Sequence, residues 1–303
     1  MSFRRLFQSG LSECLDAIRS RRAIVVLVLY FAASLLSMSG SIALLGKVEK
    51  PVSDVLQLET SETERKGVVS AALWKSRKFQ HIVRGAIRDT LVYDDICGKH
   101  PAELLYAWFA FLFVPLVTIL VGANRVADDL RSGAVRYMIT RVTRLEWSLG
   151  KYLGLSGMLL AGLLVGGLAG WCVAAVQLGG ADIAALLPSM LGWSVRAWFL
   201  SLAWLGFALG ISHFFQSGAK ATAMCVIAYL VLTVGVNMLT ILIDHGSLPS
   251  WLAVLCRIDP GEHTQGLWRQ ALMPLGMSAV NLLMLGLLYL SGGYAVFARK
   301  DAR

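Results

Sequence analysis

Three short patterns in this chain carry residue types that could do chemistry. Gly154-Leu155-Ser156-Gly157 is a GxSG sequence inside an apolar run, and a nucleophilic serine there would need a histidine base from another helix, with His213 and His245 the nearest candidates. The Gly-rich surroundings of Ser156 suit helix packing at least as well. Cys97-Gly98-Lys99-His100 reads CxxH, and His81, His245 and His263 fall in segments on the same side of the apolar runs. A metal site needs a second closely spaced ligand pair, and none is present, so no metal is expected. Gly-Lys occurs at 46–47, 98–99 and 150–151, never followed by Ser or Thr and never with the upstream glycine of a phosphate-binding loop. The apolar runs contain no Asp or Glu, which argues against proton-coupled transport, whose coupling usually needs an intramembrane ionisable group. The expectation is a chain with no catalytic residues and no cofactor of its own.

The elements that hold these residues follow from hydropathy. Of 303 residues 56% are apolar and 16% are charged, well below the charged fraction of water-soluble domains. This predicts an all-α polytopic membrane protein with six spans, at 23–45, 104–123, 152–177, 198–215, 221–243 and 275–297. A hydrocarbon core needs only about 20 residues to cross. Residues 1–22 form an amphipathic interfacial helix, with Phe3, Leu6, Phe7, Leu11, Cys14, Leu15 and Ile18 on one stripe and Arg4, Arg5 and Glu13 off it. Residues 46–103 form a small helical cap, 178–197 an outer connection, 216–220 a turn, 244–274 a second outer segment, and 298–303 a basic tail. Arg196, Trp193 and Trp198 should anchor the chain at the membrane interface, as Arg4 and Arg5 do at the N-terminus. Gly162, Gly166 and Gly170 make overlapping GxxxG steps for close packing within the chain. Asn237 and Asn281 are expected to hydrogen-bond between helices. Cys97 and Cys256 could form a disulfide if the outer side is oxidising.

Between the second and third spans lies the most charged segment, NRVADDLRSGAVRYMITRVTRLEWSLGK at 124–151. Five Lys and Arg residues precede residue 23, six lie in this hairpin, one is Lys220 and three follow residue 297, against Arg196, Arg257 and Arg269 in the two short outer connections. The 47–103 segment has ten cations and nine acids, but a segment of that length is nearly exempt from the count. Cations concentrate in cytosolic loops, so the hairpin and both termini are expected in the cytosol and the 46–103 cap outside the cytoplasmic membrane. The net charge of +9 sits beside apolar runs, which implies membrane lipids and not nucleic acid as its partner. Gly133 permits a sharp turn. Thr143-Arg144-Leu145-Glu146 reads as a capping box, so the third helix should begin near Arg144. A short helix over 134–140 is left between them, with Val135, Met138 and Ile139 available to fill a partner's groove.

The hairpin resembles the corresponding loop of type-2 ABC transporter permeases, which have an acidic residue, Gly-Thr-Leu, Pro-Val-Ser-Arg and then Gly-Lys. Asp129, Gly133, Arg144 and Gly150-Lys151 match; Ala134 replaces the usual Thr, and no Pro precedes Val142-Thr143-Arg144. The large first outer loop and the Gly-Ala-Val-Arg wording look most like the branch that includes the membrane subunit of the nitrous-oxide reductase maturation transporter. The resemblance implies a permease subunit that pairs with a second copy or a sister permease over separate P-loop ATPase subunits, which carry ATP and magnesium. It assigns ATPase coupling to Asp129, Arg131, Gly133, Arg136, Tyr137, Met138, Arg141 and Arg144. The GxSG sequence is similar to the nucleophile motif of rhomboid proteases, which would imply an intramembrane protease. A non-transport scaffold binding an extracytoplasmic protein through the 46–103 cap is the main alternative.

Overall fold

The computed structural model describes residues 8, 10–15, 21–56, 90–96, 99–140, 142–178 and 183–299. Arg4, Arg5, Cys97 with its expected disulfide to Cys256, Arg141 and most of the expected cap lie outside these residues. The described secondary structure is helical throughout: α1 (Arg21–Leu56), α2 (Thr90–Ile96), α3 (Pro101–Gly122), α4 (Arg125–Ser132), α5 (Ala134–Ile139), α6 (Arg144–Leu178), α7 (Ile183–Ser212), α8 (Gly218–Asp244), α9 (Ala253–Cys256), α10 (Gln265–Trp268) and α11 (Leu272–Arg299). Six of these segments are long and apolar enough to cross a membrane, α4 continuing the α3 span. The protein is an all-α polytopic membrane protein.

The bundle is built around α7, the most enclosed span, which packs against α3, α6 and α11. Apolar side chains gain little by leaving lipid for one another, so helices associate where backbones can approach closely or share hydrogen bonds. The α7–α11 seam meets the first condition. A Cβ on Gly206 would overlap the carbonyl of Gly286, one on Gly210 would lie 2.5 Å from the Tyr289 carbonyl oxygen, and one on Gly293 would overlap Gly210. Here the obstacle is backbone, which cannot rotate away. Gly206-Phe-Ala-Leu-Gly210 is itself a GxxxG step, less conspicuous in the sequence than the Gly-rich third span.

Hydrogen bonds secure the α1–α6–α3 side. Ser34 Oγ donates to the Gly166 carbonyl at 2.9 Å, and Tyr106 Oη and Ser194 Oγ share a bond of 2.7 Å. Gly162 and Gly166 face Leu27 and Tyr30 of α1, and Gly170 faces Met190. These contacts are all within the chain. Tyr152 Oη adds a tie from α6 to the Leu202 carbonyl of α7 at 3.1 Å.

The structure departs from the sequence expectation in the fourth apolar stretch. This is not a lead-in helix followed by a span; α7 runs unbroken from Ile183 to Ser212 through Pro188 and Arg196. The Arg196 guanidinium donates to the Leu267 carbonyl at 3.1 Å and lies 4.5 Å from the Trp193 ring centroid, so it is satisfied inside the protein. Trp193 is turned inward, with its Nε1 donating to Glu103 at 2.8 Å, and Trp198 Nε1 donates to the Ser156 carbonyl at 2.9 Å. Their indole N–H groups are matched to acceptors within the protein, and Trp193 is buried in the bundle while Trp198 is half-buried. A second departure concerns the asparagines. Asn237 and Asn281 are exposed, and Asn237 Nδ2 donates to the Thr233 carbonyl of its own helix; among the described residues neither bridges helices.

Replacing Gly206 by Ala should lower stability by about 2 kcal/mol or more, because the seam must part to admit the methyl group. On α11, a Cβ added at Gly292 would meet nothing within 4 Å, so Gly292→Ala should be neutral or slightly stabilising. Thermal unfolding of the two variants in detergent checks the opposite signs.

Candidate functional site

The hairpin joining α3 to α6 is built from local signals that act within a few residues. α4 ends at Gly133, which adopts φ 72°. An L side chain there would be strained, and the glycine reverses the chain directly into α5. α6 begins at Arg144 with a complete capping box: Thr143 N donates to Glu146 Oε2 at 3.0 Å, and Glu146 N donates to Thr143 Oγ1 at 3.2 Å. Glu146 therefore serves the helix end.

Beneath the hairpin lies a buried ion cluster. Lys151 Nζ sits 2.9 Å from both carboxylate oxygens of Glu13 and 2.7 Å from Asp129 Oδ2, and its side chain is 4% exposed. Its ammonium also lies 5.2 Å from the Trp147 ring centroid. Three segments thus meet at one cation: the N-terminal residues 10–15, α4 and α6. The N-terminal segment can come this close because position 154 lacks a side chain; a Cβ there would lie only 2.5 Å from the Gly10 carbonyl oxygen. The GxSG sequence is therefore a packing surface. Ser156 Oγ donates back to the Leu153 carbonyl at 2.8 Å, while His213 is engaged elsewhere. His213 Nδ1 donates to the Leu209 carbonyl at 2.7 Å, since a carbonyl can only accept, and in the neutral ring Nε2 then accepts from Ser148 Oγ at 3.3 Å.

The stripe pattern of the N-terminal helix puts Glu13 on its solvated side, yet Glu13 is buried while Leu11 and Leu15 are exposed. Of the apolar stripe Leu11 and Leu15 face outward while Cys14 packs against the core, and the acid turns towards the Lys151 ammonium. Sequence reasoning missed this pair, because nothing local marks Lys151 as buried.

The rest of the hairpin divides into an anchored base and a bare tip. Val126 and Ala127 are buried, and Ala127 N donates to Ser212 Oγ at 3.0 Å, which fixes α4 to the end of α7. Gly218 leaves room for Asp128 at the start of α8. Val135 is buried in the protein's own core, so it is not available to a partner as the sequence suggested. Arg144 likewise turns inward, donating to the Ala298 carbonyl at 3.2 Å and lying 5.6 Å from the Phe297 ring centroid. A guanidinium at a helix C-terminus satisfies carbonyls that have no partner within the helix. Tyr137, by contrast, is 80% exposed, and Met138, Arg131 and Thr140 are exposed beside it. The side chain of Arg136 is not described.

At the other end of the bundle His100 Nδ1 accepts from Ala102 N at 3.2 Å and caps α3, and His263 Nε2 donates to the Arg257 carbonyl at 2.8 Å. No group of three or more metal-ligating side chains occurs among the described residues.

Six apolar helices packed about α7, with a charged hairpin joining α3 to α6 that exposes Tyr137 and Met138, define a multi-pass membrane protein. The chain belongs to the ABC-2 family transporter proteins, whose pattern it matches over residues 11–302. Comparison with curated proteins gives no match.

Lys151→Met would leave Glu13 and Asp129 desolvated beside one another and should cost about 3 kcal/mol, discounted from the full penalty because Asp129 is partly exposed. Adding Glu13→Gln and Asp129→Asn should restore part of that loss. Unfolding midpoints of the single and triple variants measure both effects.

Proposed function

We propose that this chain is the membrane-spanning permease subunit of an ABC transporter, driven by separate ATPase subunits that dock on α5. The observation that carries this reading is the contrast within the hairpin. Its base is held by the Glu13–Lys151–Asp129 cluster and by Val135, while Tyr137 and Met138 stand exposed at its tip. A rigidly seated element with a bare aromatic and thioether end suits the transmission of a partner's movement to α3 and α6.

In this reading the hairpin and both termini are cytosolic, in line with the distribution of cations, and the protein resides in the cytoplasmic membrane. ATP and magnesium bind the partner chain, and closure of the ATPase subunits biases the bundle between two packings of its helices. Asp129 and Arg144 act from within, holding the hairpin to α6 and α11, and Gly133 sets the turn. A second copy or a sister permease completes the transporter. α8 is the span with least of its surface covered, and its Ile227, Leu230, Val231 and Val234 are exposed.

Tyr137→Glu should abolish co-purification with a P-loop ATPase, a loss of about tenfold or more if the tyrosine is an anchor of the contact. Its own unfolding midpoint should not move, because the side chain is 80% exposed. Retention of a stoichiometric ATPase by this variant in a pull-down from native membranes would rule out α5 as the docking element.

A further inference from the structure

At the end of the bundle away from the hairpin, a groove of about 290 Å³ lies between α3, α7 and α8 beneath the segment joining α8 to α11. Its walls are aromatic: Trp108 of α3, Trp204 of α7, Tyr229 of α8 and Trp268 of α10. Asp259 also lines it, is 4% exposed, and accepts one hydrogen bond, from Gly261 N at 3.1 Å. Among the described residues no cation forms an ion pair with Asp259; the titratable neighbours that act on it are Glu262, which raises its pKa, and His263, which lowers it without pairing with it. Burial pushes the Asp259 carboxyl above its ordinary pKa, against the Gly261 N–H, which lowers it.

A carboxylate that only capped the short helix Pro260–His263 would have no need to be enclosed by indole and phenol rings, since capping works equally well at an exposed turn. A buried charge without a counter-ion is costly, and aromatic faces attract cations through their quadrupoles. The two features call for the same ligand. An anion would be repelled by Asp259, and a neutral apolar molecule would leave its charge uncompensated.

We propose that this groove is a binding site for an organic ammonium cation, with Asp259 as its counter-ion and Trp108, Trp204, Tyr229 and Trp268 as its walls. The volume accommodates a substituted ammonium group with a short apolar body, or the headgroup of an amine-bearing lipid whose chains run along the exposed face of α3 at Trp108 and Leu112. The site goes beyond the proposed transport role and does not depend on it, since binding needs no ATPase.

The full chain, purified in dodecyl maltoside, is titrated calorimetrically with benzyltrimethylammonium and with benzyl alcohol. Native mass spectrometry then follows retention of phosphatidylethanolamine against phosphatidylglycerol. Saturable binding of benzyltrimethylammonium, weakened about tenfold or more by Asp259→Asn with benzyl alcohol unaffected, identifies a soluble amine as the ligand source. Selective retention of phosphatidylethanolamine, lost in Asp259→Asn, identifies a lipid headgroup instead. Asparagine keeps an acceptor for the Gly261 N–H, so the turn should survive. If that variant unfolds, Trp108→Ala decides, because Trp108 is 64% exposed and its removal should weaken the cation alone. The proposal is overturned if neither probe discriminates by charge, or if the discrimination is the same in Asp259→Asn and Trp108→Ala as in the parent.

Discussion

Helices in a bilayer cannot be driven together by the exclusion of water, so a six-span bundle needs places where backbones touch or polar groups pair. In this protein α7 supplies most of them. Gly206 and Gly210 bring it against Gly286 and Gly293 of α11, Ser194 shares a hydrogen bond with Tyr106 of α3, and the Leu202 carbonyl receives Tyr152 of α6. The α3 and α6 helices that flank the hairpin are both fastened to this axis, which is why the hairpin has a fixed base to stand on.

The same logic of satisfying polar groups in a dry setting explains the hairpin. Lys151 is buried and would be destabilising alone; Glu13 and Asp129 neutralise it and in doing so join the N-terminal segment to α4 and α6. The arrangement is a connection as much as a stabilising contact, because buried ion clusters contribute little net stability while fixing one geometry. Lys151, Asp129 and Arg144 at the base make their contacts within the chain, while Arg131, Tyr137, Met138 and Thr140 are exposed.

The far end of the molecule is organised by a different polar set. Asp95 of α2 pairs with Arg269 at 2.8 Å and accepts from Gln270 N at 3.2 Å, and Lys99 pairs with Glu103 at 3.0 Å, which also receives the Trp193 indole. These acids are matched to cations. Among the described residues Asp259 is not, and it lies where aromatic rings from four separate elements converge.

Local features were legible in the residues themselves. The six apolar runs, the left-handed turn at Gly133 and the Thr143–Glu146 capping box depend on hydropathy, on a missing Cβ and on contacts three residues apart, so the sequence alone determines them. Membership of the ABC-2 family was legible for the same reason, since its motif lies in that hairpin. What only the tertiary structure decided are contacts between residues distant along the chain. Glu13 and Lys151 are separated by 138 positions, and neither carries a mark of burial until the other arrives. Trp193 and Arg196 read as interfacial anchors because that is where such residues go when unpartnered; Glu103 and the Leu267 carbonyl draw them inward. Asp259 is not marked out in the sequence, and only the packing of α3, α7, α8 and α10 around it buries its carboxylate. The fate of a polar side chain in a membrane protein is set by the partner the fold brings to it.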